Sequence, residues 1–478
     1  MRQGWFGLAL AVCVIVSQSN AQYVEDALRF STAGLGTGSR ALAMGGAYVG
    51  VANDFTALYW NPAGLAQMQY GEFSLGLSYL SYSDKSSFFG NSKTTNTSIA
   101  NLNSLGWVFP LEVRRGSAVL AIGFNRGSNF TTGISFEGFN PSSSIIQSAN
   151  WAPDGRPYPD DISIAEDLKL AFADTNTGRY YSPIKNRLTQ LADATEGGGL
   201  NNWSIGGAID VAKNLSLGLT LTYVSGSYNY DRTYKEQDRA NVWRTYPYDF
   251  DELILDETVE SDITGMTGQF GIMYREPDRF RIGFTVKAPT TLNIEETFTT
   301  KGTSYFDSPD SSGYDSYETN YDPLDNKYKV ITPWVLSAGA SVIIRNLVLS
   351  GDIEFIDWKQ MKFDDATSDL IALNSDIKKI FRPATNFRAG LEYNVSNSGF
   401  RIRGGFRYNM SPYKADPSSF DQKYVTGGVG IPLGESTMLD LVYVRGWWDT
   451  YRSNYDQTSL VGEKIVTHTG ALTFSYRF

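Results

Sequence analysis

Along this chain apolar and polar residues alternate one by one in stretch after stretch, and that period of two constrains the fold most. Over residues 400–409, Phe400, Ile402, Gly404, Phe406 and Tyr408 share one face, while Arg401, Arg403, Gly405, Arg407 and Asn409 take the other. Successive side chains of a strand point to opposite sides of a sheet, so each such stretch is a strand with one greasy and one charged face. Residues 387–394 set Phe387, Ala389, Leu391 and Tyr393 against Arg388, Gly390, Glu392 and Asn394. Residues 280–287 and 215–223 repeat the pattern with Phe280, Ile282, Phe284 and Val286, and with Leu215, Leu217, Leu219, Leu221 and Tyr223. No segment supplies the ~20 consecutive apolar residues that a membrane-spanning helix requires. Aromatic residues nevertheless make up 14% of the chain, and there are 46 glycines. A large exported all-β domain is compatible with these numbers. A membrane-spanning antiparallel β-barrel fits them better, because only alternate residues meet lipid and aromatic girdles mark both interfaces. A charge facing lipid near the midplane costs ~2–4 kcal/mol, so the charged faces belong in the lumen.

Tight turn signals fall at 114–116, 212–214, 276–279, 345–346, 396–399 and 433–435. Between them the chain makes long polar excursions near 83–101, 128–200, 228–260, 292–328, 358–383, 411–419 and 446–463. Six short turns and seven long loops imply about fourteen strands, an even number as expected for a bacterial barrel, with the short turns and both termini on the periplasmic side. The first strand is expected over 72–82 and the third over 117–130. The largest excursion, 128–200, is partly helical by spacing: Ile164, Leu168, Ala171 and Phe172 form one helical stripe, and Ile184, Leu188 and Leu191 another. Residues 376–381 suggest a further short helix.

The ends fit an exported barrel. Residues 1–21 read as a signal peptide, with Arg2 ahead of an apolar run from Trp5 to Val16 and small Ser19 and Ala21 at the cleavage site. Cys13 is the sole cysteine, so the mature chain carries no disulfide and no thiol chemistry. The net charge of -10 argues against nucleic acid as a partner. At the other end Leu472, Phe474, Tyr476 and Phe478 alternate with Ala471, Thr473, Ser475 and Arg477. This resembles the C-terminal strand of bacterial outer-membrane barrels, where the terminal aromatic is part of the signal read by the barrel assembly machinery. The resemblance implies an outer-membrane location.

Residues 22–70 precede the first strand and are rich in Gly and Ala. Gly45-Gly46-Ala47 is followed by Asn61-Pro62-Ala63-Gly64. These motifs, with the signal, the strand count and the aromatic C-terminus, resemble the FadL-type long-chain fatty acid transporters over the whole chain. The resemblance implies a hatch over 22–70 plugging a barrel over 71–478, with Gly45, Gly46, Asn61, Pro62 and Ala63 as its motif. It implies passive uptake of hydrophobic, fatty acid-like molecules, with outer-membrane lipid receiving them through a kink in the third strand. The candidate kink residues are Gly123, Asn125, Gly127 and Asn129, since Gly in a strand marks bulges. Leu28 and Phe30 of the mature N-terminus, with lumenal Arg388, Arg401 and Arg403, are the ligand-proximal candidates, because guanidinium pairs bidentately with carboxylate. The family's ligand-capturing helical loops follow the fifth and seventh strands, whereas the largest excursion here follows the third.

Other constellations carry less. Asp352, Glu354, Arg388, Glu392, Arg401, Arg403 and Arg407 share lumenal faces of adjacent strands, where opposite charges usually pair structurally. Asp249, Asp251, Glu252, Asp256 and Glu257 lack a calcium-loop spacing and read as a solvated loop. His468 is the sole histidine, on an outward position. No metal site, cofactor or enzyme activity is expected. A monomeric hydrophobic-molecule transporter is the first functional reading. A FadL-like barrel serving as a partner in protein secretion or surface assembly, as in type IX pathways, is the second.

Overall fold

The computed structural model describes residues 24–148, 161–173, 180–244, 249–455 and 459–478. The expected signal segment and Gln22 and Tyr23 lie outside the described residues. Fourteen antiparallel strands close into a barrel. In chain order they are β1 (Glu72–Phe88), β2 (Asn91–Leu111), β3 (Ala118–Asn129), β4 (Leu188–Ala212) and β5 (Leu215–Gln237). Then come β6 (Phe250–Glu276), β7 (Phe280–Lys287), β8 (Val335–Ile344), β9 (Leu347–Asp357) and β10 (Pro383–Asn394). The circuit ends with β11 (Arg401–Asn409), β12 (Gln422–Pro432), β13 (Thr437–Ser453) and β14 (Leu460–Arg477), which pairs with β1. All six expected turns fall at strand junctions.

The alternation has the expected sense. Leu219, Leu221, Ile282, Phe284, Phe387, Leu391, Ile402 and Phe406 are exposed on the outer face, while Asp352, Arg388, Glu392, Arg403 and Arg407 are buried inside. The wall is uneven in height. β4, β5 and β6 run for 25, 23 and 27 residues, against 8 for β7 and 9 for β11. A tilted strand needs only ~9–11 residues to cross the bilayer, so the tall strands project far beyond it.

That projection corrects part of the loop expectation. Much of 83–101, 128–200, 228–260, 292–328 and 446–463 is strand. Leu188 and Leu191 lie in β4, not in a helix, because β4 is paired on both sides, by Thr132–Asn140 and by β5. Cross-strand pairing overrides the local helical spacing there. The first helical stripe holds only for Asp161–Asp167, beyond which Phe172–Ala173 pairs with Tyr180–Tyr181. The helix expected near 376–381 is present as Asn374–Ile380. The acidic run Asp251–Glu257 lies on β6, where Glu257 pairs with Arg232 at 3.0 Å.

Residues 24–70 pack against the lumenal face of the wall. They form helices α1 (Val24–Ser31), α2 (Ser39–Ala43) and α3 (Ala57–Trp60), and a 3-10 turn, Pro62–Gln67. Lumenal glycines of the wall make room for them. A β-carbon on Gly218 would lie 2.3 Å from the Ala63 nitrogen, one on Gly390 2.4 Å from the Met44 carbonyl, and one on Gly405 2.2 Å from the Gly45 nitrogen.

Candidate functional site in the barrel lumen

The lower lumen is filled by a polar lattice joining α2, α3 and their linkers to the wall. Arg40 grips Glu392 with two bonds of 2.8 Å and donates to Asn53 at 2.6 Å. Arg403 bonds the same Glu392 at 2.7 Å and Asp440 at 2.6 Å, and its side chain is wholly buried. Asp352 accepts from the backbone N–H groups of Tyr48 and Val49 at 2.7 and 2.8 Å. Arg388 donates to Glu354 at 2.6 Å, and its guanidinium sits 5.6 Å from the centre of the Trp60 ring. Arg401 is half-buried and makes no ion pair among the described residues. Arg40, Glu392, Arg403 and Asp440 thus answer one another, as do Arg388 and Glu354, because a buried charge left without its partner is costly.

The Asn-Pro-Ala motif is explained by this packing. Asn61 is fully buried. Its amide donates to the Val49 and Ile272 carbonyls at 2.9 and 3.2 Å, and its oxygen accepts from Ala63 N–H at 3.1 Å. Pro62 opens the 3-10 turn, where its missing N–H costs nothing. Gly45 and Gly46 have φ of 66° and 76°, and a β-carbon on Gly45 would stand 2.7 Å from the Phe406 backbone. Both the left-handed turn and the close approach call for glycine.

Higher in the lumen the contacts become apolar. Phe30 of α1 makes edge contacts with Phe130 at 5.9 Å and Tyr228 at 5.8 Å. Val24, Ala27 and Phe30 enter a cluster with Ile263, Leu292, Trp358, Phe363 and Ile377, and Leu28 packs at its margin. Arg29, at the end of α1, pairs with Asp26 and lies 3.5 Å from Glu196. Below Phe30 lies a cavity of about 140 Å³. Phe30, Trp60, Val224, Leu292 and Trp358 supply its apolar wall, and Lys287, Glu354 and Arg388 its charges. Lys287, which the alternation puts on the lumenal face, was not among the ligand-proximal candidates, yet it lines the cavity.

The cavity reaches the third strand at its irregular point. β2 and β3 pair from Leu111–Ala118 to Ser104–Asn125 and then part. β2 has its own irregularity opposite Gly76 and Leu77, where Asn103 drops out of register. On the other side, β3 loses register with β4 at Gly127. The Gly127 carbonyl accepts from Gly34 N–H at 2.9 Å, and the Ser128 hydroxyl donates to the Thr32 carbonyl at 2.8 Å. The segment after α1 therefore lies on the lip of the parted strands. Asn125, Gly127 and Ser128 line the cavity directly. Gly123, by contrast, sits in the regular ladder opposite Gly106, and both glycines leave room for the Phe55 ring. Asn129 turns the chain, accepting from Thr131 N–H at 2.9 Å. Beyond it, Thr132–Asn140 crosses the inner face of the β1–β2 hairpin, with Ser86 Oγ donating to the Ser135 carbonyl.

A closed fourteen-stranded barrel with helices in its lumen and a parted third strand has the fold of the FadL-type hydrophobic-compound transporters. Superposition on the P. putida toluene transporter TodX gives a TM-score of 0.56 at 15% identity, covering 93% of this chain and 99% of that one. A Pseudomonas aeruginosa FadL homologue gives 0.59 at 13%, covering 92% and 98%. The Ralstonia pickettii toluene transporter TbuX gives 0.50 at 18%, covering 93% and 99%. No curated protein matches in sequence. Residues 181–452 match the family described as BamG, and the chain belongs to that family.

Proposed function

We propose that this barrel sits in the bacterial outer membrane and passes hydrophobic molecules from its outer lumen into the bilayer, with residues 22–70 acting as the hatch. One observation carries the reading: the cavity beneath Phe30 is continuous with Asn125, Gly127 and Ser128, where β2 and β3 part. Leu28, Phe30 and Arg388 are the ligand-proximal residues, joined by Lys287. Arg403 belongs to the lattice beneath, and Arg401 to the periplasmic end of its strand. The neighbours in fold named as toluene transporters support a hydrophobic cargo. Size separates two cargo classes. By volume, a monoaromatic ring fits the cavity of about 140 Å³ beside Phe30, Trp60 and Trp358, as benzene fits an engineered cavity of about 150 Å³. A long acyl chain requires α1 to leave, and each methylene then buried contributes ~0.8 kcal/mol toward release into lipid.

The test is a tether across the lip. A β-carbon on Gly34 would lie 3.5 Å from the Ser128 α-carbon, within disulfide reach. Oxidised Gly34→Cys/Ser128→Cys protein should remain a folded barrel yet lose uptake of labelled oleate, and reductant should restore it. Equal oleate uptake by the oxidised and reduced forms would sink the proposal. The family match favours a second reading, in which the barrel works as a partner in outer-membrane assembly. Its signature is a fall in the amounts of other heat-modifiable barrels on depletion, with hydrophobic uptake unchanged.

A further inference from the structure

Going beyond both readings, we propose that the outer half of β2, residues 91–103, is a strand-accepting edge that pairs with an extended, uncharged segment of another polypeptide at the cell surface. On its inner neighbour's side this stretch is bonded to β1 from Asn91–Phe88 onward. On the other side its pairing with β3 starts only at Ser104. Among the described residues no strand bonds the intervening edge. A row of free backbone donors and acceptors is what an added strand recognises, whatever its sequence.

Between the inward charge of Lys93 and the irregularity at Asn103, the outward face of the edge carries none of the charge or proline that blunts exposed edges. Natural edge strands are blunted by charge, by proline or by covering elements. The outward residues here are Ser92, Thr94, Asn96, Ser98, Ala100 and Leu102, none of them charged and none proline. Lys93 points inward and lies 3.3 Å from Glu137, so its charge is already engaged. The chain's own Thr132–Asn140 does not cover the edge. It is bonded to β4 along its whole length, and it crosses the inner face of the hairpin, where Gly133 abuts the side chains of Thr95 and Thr97.

A second copy of this chain is the wrong occupant. All copies insert with their short turns on one side. Barrel strands tilt ~35–45°, so a two-fold axis along the membrane normal would cross two β2 edges at roughly 70–90° instead of laying them side by side. The remaining occupant is a different polypeptide, running antiparallel to β2 in the place that β3 vacates and ending at the level of Ser104 and Asn125. An uncharged segment suits it, since the outward residues beside it are small, polar and neutral.

The test places a photo-crosslinking benzoylphenylalanine at Thr94 or Ser98 of the full-length protein in native membranes. Asp231, exposed on β5 but paired on both sides by β4 and β6, is the control position. The expected result is an adduct with one partner polypeptide from both edge positions and none above background at Asp231. The two attachment points should lie about four residues apart on the partner, in the reverse order, as an antiparallel ladder dictates. Whichever of Asn96→Pro and Thr97→Pro still yields a heat-modifiable barrel should lose the adduct. Adducts only with lipid, with residues 132–140 of the same chain or with a second copy would each overturn the proposal. So would attachment points without common register, or no adduct at all.

Discussion

At the seam between β14 and β1, sixteen consecutive residue pairs run from Glu72–Arg477 to Ser87–Gly462. At the seam between β2 and β3, only eight pairs form before the strands part. The first seam is backed from inside by chemistry: Glu72 accepts from Arg477 and from Phe55 N–H, both at 2.9 Å. It ends in a reciprocal pair of 3.0 Å bonds between Gly71 and Phe478. The second seam is backed by a cavity, with the Asn125 amide buried and without a partner. Backbone groups at membrane depth must be satisfied unless they line protein or a cavity, and the two seams are the two solutions. One seam is closed by a continuous ladder, and the other opens beside a cavity.

Removing Phe478 attacks the shut seam directly and should have the largest effect. It takes away two backbone bonds and the ring lying against Gly71. We expect loss of most of the folded barrel from the outer membrane, read as disappearance of the heat-modifiable band. Proline pairs then compare the seams on equal terms. At a free edge only alternate N–H groups are bonded, so one of Asn96→Pro and Thr97→Pro should fold like the parent. Both Val466→Pro and Thr467→Pro should cost about 1–3 kcal/mol, because β14 is bonded on both sides and either loses a ladder bond. Equal damage at the two sites, measured by urea unfolding followed electrophoretically, would erase the distinction. Glu72→Gln keeps the bond to Phe55 and weakens that to Arg477, and should lower stability by about 1–2 kcal/mol in the same assay. Asn125→Leu is the smallest and carries the opposite sign. Replacing an unpartnered buried amide with an apolar group should be neutral or stabilising by up to ~1 kcal/mol.

The wall was legible because its rules are local. Alternation assigned faces correctly at Arg388, Glu392, Arg403 and Phe406, and turn residues marked every short-turn junction. What failed depended on distant partners. Nothing near Leu188 or Leu191 announces that β5 and Thr132–Asn140 extend β4 upward. Gly123 and Gly127 look alike in sequence. One makes room for Phe55 and the other breaks the register, and only the partner strand decides which. The lumenal arginines were placed on the correct face, but Arg40, which grips Glu392, comes from a helix 352 positions away. Alternation put Lys287 in the lumen but could not say that it borders the cavity, since that depends on what α1 and β9 bring beside it.

Gly71 is both the last residue before the wall and the first partner of Phe478, and Ser39 donates to Thr473 across 434 positions. Closing a loop of that length costs entropy that only the finished wall offsets. These bonds tie the lumenal segment to the closing strand, so the final ladder and the packing of residues 39–71 stabilise one another.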